Sequence, residues 1–150
     1  MEEILKLQSQ EEIILKVGER IWGKIKDFNS FDHLSEPEKA YMYIDNLERE
    51  VFNGGFDQFF FNTSGEYAHE ALQAYVDIGA ERQAEIVYKA INSFPELPIP
   101  KALETRRSCM ENVPQHIEKT WNELDTEFYK DDDIFFSLLI QYITLHKEKF

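Results

Sequence analysis

The segment between residues 53 and 65, which we call the corner motif, constrains the fold of this chain more than any other stretch. It reads Asn-Gly-Gly, then a six-residue run with four phenylalanines, then Asn-Thr-Ser-Gly. Glycine adopts the left-handed conformation that closes a helix, so the glycine pair predicts the end of one helix. Residues 56–61 are too short for a full helix and lack the alternation of a strand. We therefore predict one or two helical turns there, with three side chains filling the core: Phe56, Phe59 and Phe60.

Apolar residues at helical spacing occupy most of the remaining chain, and no segment has the pattern of a strand. Polar start signals precede three of the apolar stripes, at residues 9–12, 35–38 and 63–66. In the first helix we predict an inward stripe of Ile14, Val17, Ile21, Ile25 and Phe28. The first four predicted helices lie at about 10–27, from the signal at 35–38 to 52, at 56–61, and from the signal at 63–66 to 78. The others lie between Gly79 and Pro95, at about 101–112, from Pro114 to about 128, and around 135–143. The predicted fold class is all-α, a single compact domain of about seven or eight helices with short connections, spanning 9–150 after a lead-in at 1–8.

Bulk composition indicates an ordinary soluble protein. Hydrophobic residues make up 43% of the 150 residues, which is enough for a core and excludes a disordered chain. The one cysteine, Cys109, excludes a disulfide framework and favours a reducing compartment. The sequence has neither a signal-peptide pattern nor an apolar run of membrane-spanning length. These features predict a cytoplasmic protein.

Charge is the unusual bulk property, because 29 acidic residues face 16 basic ones and the net charge is −13. Residues 31–100 contain thirteen acids and four bases, so they hold nine of the thirteen net negative charges. Such a field repels nucleic acid and membrane surfaces and attracts basic partners. Solubility alone is the alternative explanation. The local excess of acids nominates nine partner-binding residues: Glu36, Glu38, Asp45, Glu48, Asp57, Glu66, Glu70, Asp77 and Glu81.

Catalytic and metal-binding patterns are missing from the sequence. The four histidines lie far apart, and the one Glu-x-x-His pair, Glu66 and His69, is half of the pattern that a di-iron site needs. Cys109 is read as core filler, although nearby arginines could lower its pKa. Ser64 beside Gly65 is explained by helix capping, and no nucleotide-binding loop is present. We predict no catalytic residue, no metal and no cofactor.

The corner motif is also where the chain resembles a known family. Residues 53–65, followed by Ala71-Leu72, Ile78-Gly79-Ala80 and the Phe94-Pro95 pair, look like the family built around a bacterial DNA-mimic protein. The last two predicted helices continue the resemblance, which covers about residues 35–146. The motif positions that carry it are Asn53, Gly54, Gly55, Phe56, Gln58, Phe59, Phe60, Asn62, Ser64 and Gly65.

The resemblance implies an all-helical protein with no known catalysis. For the family's namesake, the resemblance implies a dimer whose acidic side chains imitate the phosphates of duplex DNA. The partners of that protein are a helix-turn-helix transcription factor and a histone-like DNA-binding protein. For this chain the resemblance therefore implies a basic DNA-binding protein as partner and a homodimer. The negative charge, as noted above, predicts no direct contact with nucleic acid or membrane.

Two readings of the corner motif and two alternative functions remain open from the sequence. The motif is structural, with Asn53, Gln58 and Asn62 bonding neighbouring backbone, or it is a binding groove floored by the aromatic rings. If it is a groove, the chain is a general protein or peptide interaction module that uses residues 56–61. An unrecognised enzyme is the other alternative, and it would need a cleft where groups such as Glu66 and His69 converge.

Overall fold

The structure, a computed structural model, describes residues 1–25, 31–130, 132 and 134–150. The described residues form seven α-helices and three short 3-10 helices and contain no strand, which confirms the predicted all-α class. The α-helices are α1 Gln10–Trp22, α2 Glu36–Phe61, α3 Ala68–Asp77, α4 Glu81–Asn92, α5 Leu103–Met110, α6 Gln115–Phe128 and α7 Phe135–Leu145. The 3-10 helices are Ile4–Lys6, Thr63–Tyr67 and Lys147–Lys149.

The chain divides into two compact units, the first made of Met1–Met42 and Asp132–Phe150. In this unit α1 packs on α7, and Gln10 Nε2 donates to the Ser137 hydroxyl oxygen at 2.9 Å. Gly18 lets the Tyr41 ring approach α1, where the Tyr41 hydroxyl donates to the Ile14 carbonyl at 2.7 Å. The core of this unit includes buried aliphatic side chains from both helices: Ile13, Val17, Ile21, Leu139 and Ile143.

The second unit, Tyr43–Asp131, holds most of α2 together with α3 to α6. α4 packs against both α3 and α6. Its core is aromatic, with the Phe60 ring centroid 5.2 Å from that of Trp121 and 5.3 Å from that of Phe94. Phe56 meets Phe128 edge-on at 5.8 Å. The predicted core positions Phe56, Phe59 and Phe60 are each at most 1% exposed, so these three side chains do fill the interior.

Two features of α1 differ from prediction. The helix ends at Trp22 rather than near residue 27, with Gly23 as its C-cap. Its buried stripe runs through Ile13 rather than Ile14, which is half-buried. Spacing of four residues from Ile13 through Val17 to Ile21 is equally helical, so the pattern alone could not choose between neighbouring isoleucines. Phe28, the last predicted member of the stripe, lies outside the described residues.

The second start signal begins α2, as predicted, and the structure shows it to be a reciprocal capping box. The Glu38 amide donates to the Ser35 hydroxyl oxygen at 3.3 Å, and the Ser35 amide donates to Glu38 Oε2 at 2.9 Å. Both orphan amides at the start of α2 are therefore satisfied by side chains close in sequence.

The glycine pair interrupts α2 but does not end it. Gly54 (φ −155°, ψ 16°) and Gly55 (φ 79°, ψ −178°) leave helical geometry, and the helix then resumes to Phe61. The predicted break and the predicted short helical segment are both present, as a kink within one helix. The conformation of Gly55 is one that only glycine adopts readily, so the kink is specified by residue type.

Candidate functional site

A single carboxylate organises the polar side chains of the corner motif. Glu50 Oε2 accepts hydrogen bonds from Gln58 Nε2 at 2.6 Å and from Asn62 Nδ2 at 2.9 Å. Glu50 Oε1 accepts one from the Ser64 hydroxyl at 3.1 Å. Asn53 Nδ2 in turn donates to Gln58 Oε1 at 3.2 Å. Four motif side chains from both sides of the kink are thus connected to one residue outside the motif.

This network corrects two predictions about the motif. Ser64 does not cap a helix: the segment Thr63–Tyr67 is a 3-10 helix without a side-chain cap, and α3 begins only at Ala68. The side-chain amides of Gln58 and Asn62 bond the Glu50 carboxylate rather than neighbouring backbone. The physical reason is the kink at Gly54 and Gly55, which redirects the chain so that residues 58–64 return toward the preceding turns of α2.

An open cavity of about 490 Å³ lies over this network. All six residues that line it are polar: Asn46, Arg49, Glu50, Asn53, Gln58 and Asn62. Its volume falls within the range of about 300–1,000 Å³ typical of small-ligand pockets, but its lining lacks their usual apolar walls. The corner therefore presents hydrogen-bonding groups, and the buried rings of Phe56, Phe59 and Phe60 do not floor a groove.

The restart of α2 after the kink depends on a residue far along the chain. The Phe56 amide donates to Asp125 Oδ1 at 2.8 Å, so a carboxylate from α6 caps the first free amide beyond Gly55. A Cβ on Gly55 would collide with this carboxylate. Burial raises the pKa of Asp125, and the hydrogen bond from Phe56 partly opposes that shift.

The end of α2 is held by a buried arginine. Arg106 on α5 is 1% exposed, and its guanidinium donates to the Phe60 carbonyl at 2.7 Å and the Asn62 carbonyl at 2.7 Å. It also donates to the carbonyls of Pro100 and Lys101 at 3.0 and 2.9 Å. The last carbonyls of a helix have no partner within the helix, and Arg106 donates to carbonyls at the end of α2. Burial lowers the pKa of Arg106.

Gly65 of the motif makes room for this arginine. A Cβ there would lie 2.8 Å from Arg106 Nε and 2.8 Å from the carbonyl oxygens of Phe59 and Phe60. The glycines of the corner motif are therefore explained by close approach, Gly54 to Gln58, Gly55 to Asp125 and Gly65 to Arg106.

Groups that the sequence nominated for chemistry do not converge. His69 Nε2 accepts a hydrogen bond from the Ile99 amide at 3.1 Å, and no group of three metal-ligating side chains occurs among the residues that the structure describes. The Ser64 hydroxyl is bound to Glu50. Cys109 is half-buried and its thiol donates to Glu96 at 3.2 Å. Burial raises the pKa of Cys109, which is opposite to the shift that the nearby arginines suggested.

The nine acidic candidates divide by exposure. Glu36, Asp57, Glu66, Asp77 and Glu81 are exposed, and Asp45, Glu48 and Glu70 are half-buried. Glu38 is 3% exposed and its charge is offset by Lys24, so it does not present its carboxylate to solvent. Ion pairs within the chain also engage Glu36 with Lys39, Asp45 with Arg49 and Glu70 with Lys101. Among the described residues, four exposed candidates have no Lys or Arg within ion-pair distance: Asp57, Glu66, Asp77 and Glu81.

Glu48 is the most perturbed of the candidates. Its Oε1 accepts a hydrogen bond from the Tyr75 hydroxyl at 2.7 Å. Burial raises the pKa of Glu48 to about 7, and the nearby Asp45 charge adds to that rise. Burial, followed by the Glu48 charge, raises the pKa of Tyr75 as well. Near neutral pH this pair therefore supplies only a part of one negative charge.

Sequence reasoning missed the residues that complete the pocket, Asn46, Arg49 and Glu50. A signal for them exists, because residues 46, 50 and 53 are spaced by four and three and so share one face of α2. That face carries only polar residues just before the glycine pair, which marks it as neither core nor ordinary surface.

Comparison with known proteins places the chain in a family. Fold and composition define an acidic all-α protein. A family model described as DMP19-like protein matches residues 32–146, so the chain belongs to the DMP19-like protein family. This is a DNA-mimic family and not a known enzyme family. The match agrees with the extent of about 35–146 expected from the resemblance. Searches of curated proteins and of solved structures found no match.

Within residues 1–25, 31–130, 132 and 134–150, no helix has the length and apolar character needed to cross a bilayer.

Proposed function

We propose that this protein is a non-enzymatic acidic binding protein that occupies the DNA-binding surface of a basic protein. Its carboxylates would take the positions of duplex phosphates, which DNA-binding proteins meet with lysine and arginine. A decoy of this kind acts by equilibrium competition and needs neither a catalytic group nor a cofactor. The proposal includes a homodimer, as the family resemblance implies, and a cytoplasmic location, as the bulk composition predicts. Sedimentation of the purified protein tests the dimer.

The observation that carries the proposal is the concentration of unpaired acids in one unit. Residues 43–131 contain seventeen acids and eight bases, a net charge of −9, whereas the other unit has a net charge of −4. The four exposed candidates that form no ion pair among the described residues, Asp57, Glu66, Asp77 and Glu81, all belong to the more acidic unit. Charges that the chain does not neutralise itself are available to a basic partner.

A binding assay with matched charge variants tests this proposal. The test variant neutralises the four unpaired acids: Asp57→Asn, Glu66→Gln, Asp77→Asn and Glu81→Gln. The control neutralises four exposed acids outside the family match: Glu3→Gln, Glu11→Gln, Glu12→Gln and Glu19→Gln. Both variants have a net charge of −9, so overall charge cannot explain a difference between them.

Each protein is titrated against a panel of purified bacterial DNA-binding proteins, including a histone-like one, with duplex DNA as competitor. We expect binding by the wild type that DNA displaces and that weakens steeply between ~50 and ~200 mM salt. The test variant should bind at least about tenfold more weakly at low salt, and the control should stay near the wild type. Absence of binding at low salt, or equal losses in both variants, would contradict mimicry by this surface.

A further inference from the structure

The Glu50 carboxylate determines how the surrounding amides are oriented. An ionised carboxylate only accepts hydrogen bonds, so Gln58 and Asn62 must turn their NH₂ groups toward it. The Gln58 side-chain oxygen then faces Asn53, which must donate through its own NH₂ group. This assignment follows from the network and does not depend on how the amide atoms were placed.

The same orientation leaves two acceptors of the cavity open. Asn53 Oδ1 and Asn62 Oδ1 accept no hydrogen bond within the part of the chain that the structure describes. Both residues line the cavity, next to the Glu50 carboxylate and the Asn46 side chain. A ligand with hydrogen-bond donors can therefore bind to these two oxygens and to the Glu50 carboxylate, beside the donors that Asn46 and Arg49 provide.

The charge of the lining selects the sign of the ligand. Glu50 contributes one negative charge and Arg49 one positive charge, but Arg49 NH1 lies 3.6 Å from Asp45 Oδ2. Asp45 offsets Arg49, so the cavity and its rim have a net charge of −1. This net negative charge favours a cationic donor over an anion.

We infer that the corner cavity binds the guanidinium group of an arginine side chain from the basic partner. Guanidinium is planar, carries five donors and is weakly hydrated, which suits a cavity that offers several amide oxygens around one carboxylate. A lysine ammonium offers fewer donors from a single point and is more strongly hydrated. The inference rests on the proposed function, because the arginine belongs to the basic partner. The cavity would bind that side chain specifically, in addition to the general attraction of the acidic surface.

Small amino acids capped at both ends, whose backbone carries no charge, test binding to this cavity apart from the rest of a protein interface. N-acetyl-arginine methylamide is titrated into ¹⁵N-labelled protein while the side-chain NH₂ signals of Asn53, Gln58 and Asn62 are followed by NMR. N-acetyl-citrulline methylamide has the same length and a planar but uncharged end, and N-acetyl-lysine methylamide has the charge without the plane. We expect saturable shifts of these signals with arginine, about three- to tenfold weaker binding of lysine, and no saturation with citrulline.

Three variants locate the binding and determine its sign. Asn53→Leu removes one exposed acceptor of the cavity and should weaken arginine binding about three- to tenfold. Asn122→Leu makes the same change at an exposed position of α6 outside the cavity and should leave binding unchanged. Arg49→Gln removes the cation at the rim and should strengthen binding of arginine, whereas a site for anions would be weakened. Unfolding midpoints confirm that each variant is folded.

Specific results would overturn the inference. They are equal shifts with citrulline and arginine, shifts confined to residues outside the cavity, or weaker arginine binding in Arg49→Gln. If such a result accompanied DNA-displaceable binding of a DNA-binding protein, the cavity inference would fail and the proposed function would stand. Saturable arginine binding without any DNA-binding partner would leave the cavity as a site and remove the proposed function.

Discussion

At the scale of single residues, Glu48 couples the stability of the fold to pH. Its carboxylate is desolvated on α2 and holds the Tyr75 hydroxyl at 2.7 Å, and burial raises the pKa of Glu48 to about 7. In the unfolded chain the pKa of a glutamate is near 4.5. The folded state therefore binds this proton more tightly. The contribution to stability is complete below about pH 4.5 and is lost as pH rises through 7.

The variant Glu48→Gln makes this contribution measurable. Glutamine keeps an acceptor for Tyr75 but cannot ionise, so we expect it to stabilise the protein at pH 8 by on the order of 3 kcal/mol. At pH 5 the difference between variant and wild type should shrink toward zero. Denaturant unfolding of both proteins between pH 5 and pH 8 checks this, and a difference that stays constant with pH would contradict a raised pKa of Glu48.

Arg106 shows at the same scale how a charge can be part of a core. Its four carbonyl partners come from two segments, the end of α2 and the turn before α5. Backbone dipoles, rather than a carboxylate, satisfy its donors. Its neighbour Arg107 instead lies over the Phe61 ring at 4.4 Å and donates to one carbonyl. Adjacent arginines thus have different roles that residue type does not reveal.

At the scale of elements, the kink in α2 can be tested by comparing two glycines. Gly55 and Gly79 both have positive φ, 79° and 77°, but only Gly55 has a neighbour within reach of an added Cβ. Gly79→Ala should destabilise the protein by about 1–2 kcal/mol, because only the left-handed conformation is penalised. Gly55→Ala should cost at least about 3 kcal/mol, since it adds a collision with the Asp125 carboxylate and disrupts a glycine-only conformation.

Urea unfolding of the two alanine variants checks this comparison. Both substitutions place an alanine at positive φ, so the excess loss in Gly55→Ala reports the contact with Asp125 together with the glycine-only conformation of residue 55. Equal losses would mean that the carboxylate moves aside and that the cap on Phe56 is dispensable.

Local sequence signals predicted the elements well, and remote contacts explain what they missed. The Ser35–Glu38 capping box and the core positions Phe56, Phe59 and Phe60 were predictable because their determinants are adjacent in sequence. Ser64 was assigned to a cap because the partner it actually binds, Glu50, lies fourteen residues earlier. The partners of Phe56 and Phe60, Asp125 and Arg106, lie 69 and 46 residues away. Helical periodicity contains no information about such pairings.

At the scale of the whole molecule, the net charge of −13 should make stability depend on salt. The exposed ion pairs along the helices, spaced three or four residues apart, contribute little each, so screening them with salt costs little stability. Repulsion among the excess acids acts over longer distances. Salt shortens the screening length from about 30 Å at 10 mM to about 8 Å at 150 mM.

We therefore expect the unfolding midpoint to rise when salt is increased from ~10 to ~150 mM. The variant that neutralises Asp57, Glu66, Asp77 and Glu81 should gain less from added salt, because its net charge is only −9. Thermal unfolding followed by circular dichroism measures both midpoints. A midpoint that falls with salt would show that ion pairs outweigh repulsion.

The long reach of the corner has a consequence for synthesis on the ribosome. Residues 56–61 are translated well before α5 and α6 deliver Arg106 and Asp125, so the nascent chain holds three phenylalanines without their permanent cover. A chain arrested before residue 125 lacks the cap on Phe56, and one arrested before residue 106 also lacks the clamp on Phe60. The cap and the clamp can therefore form only after most of the unit Tyr43–Asp131 has emerged. Until that moment, this segment is the natural place for a chaperone to bind the growing chain.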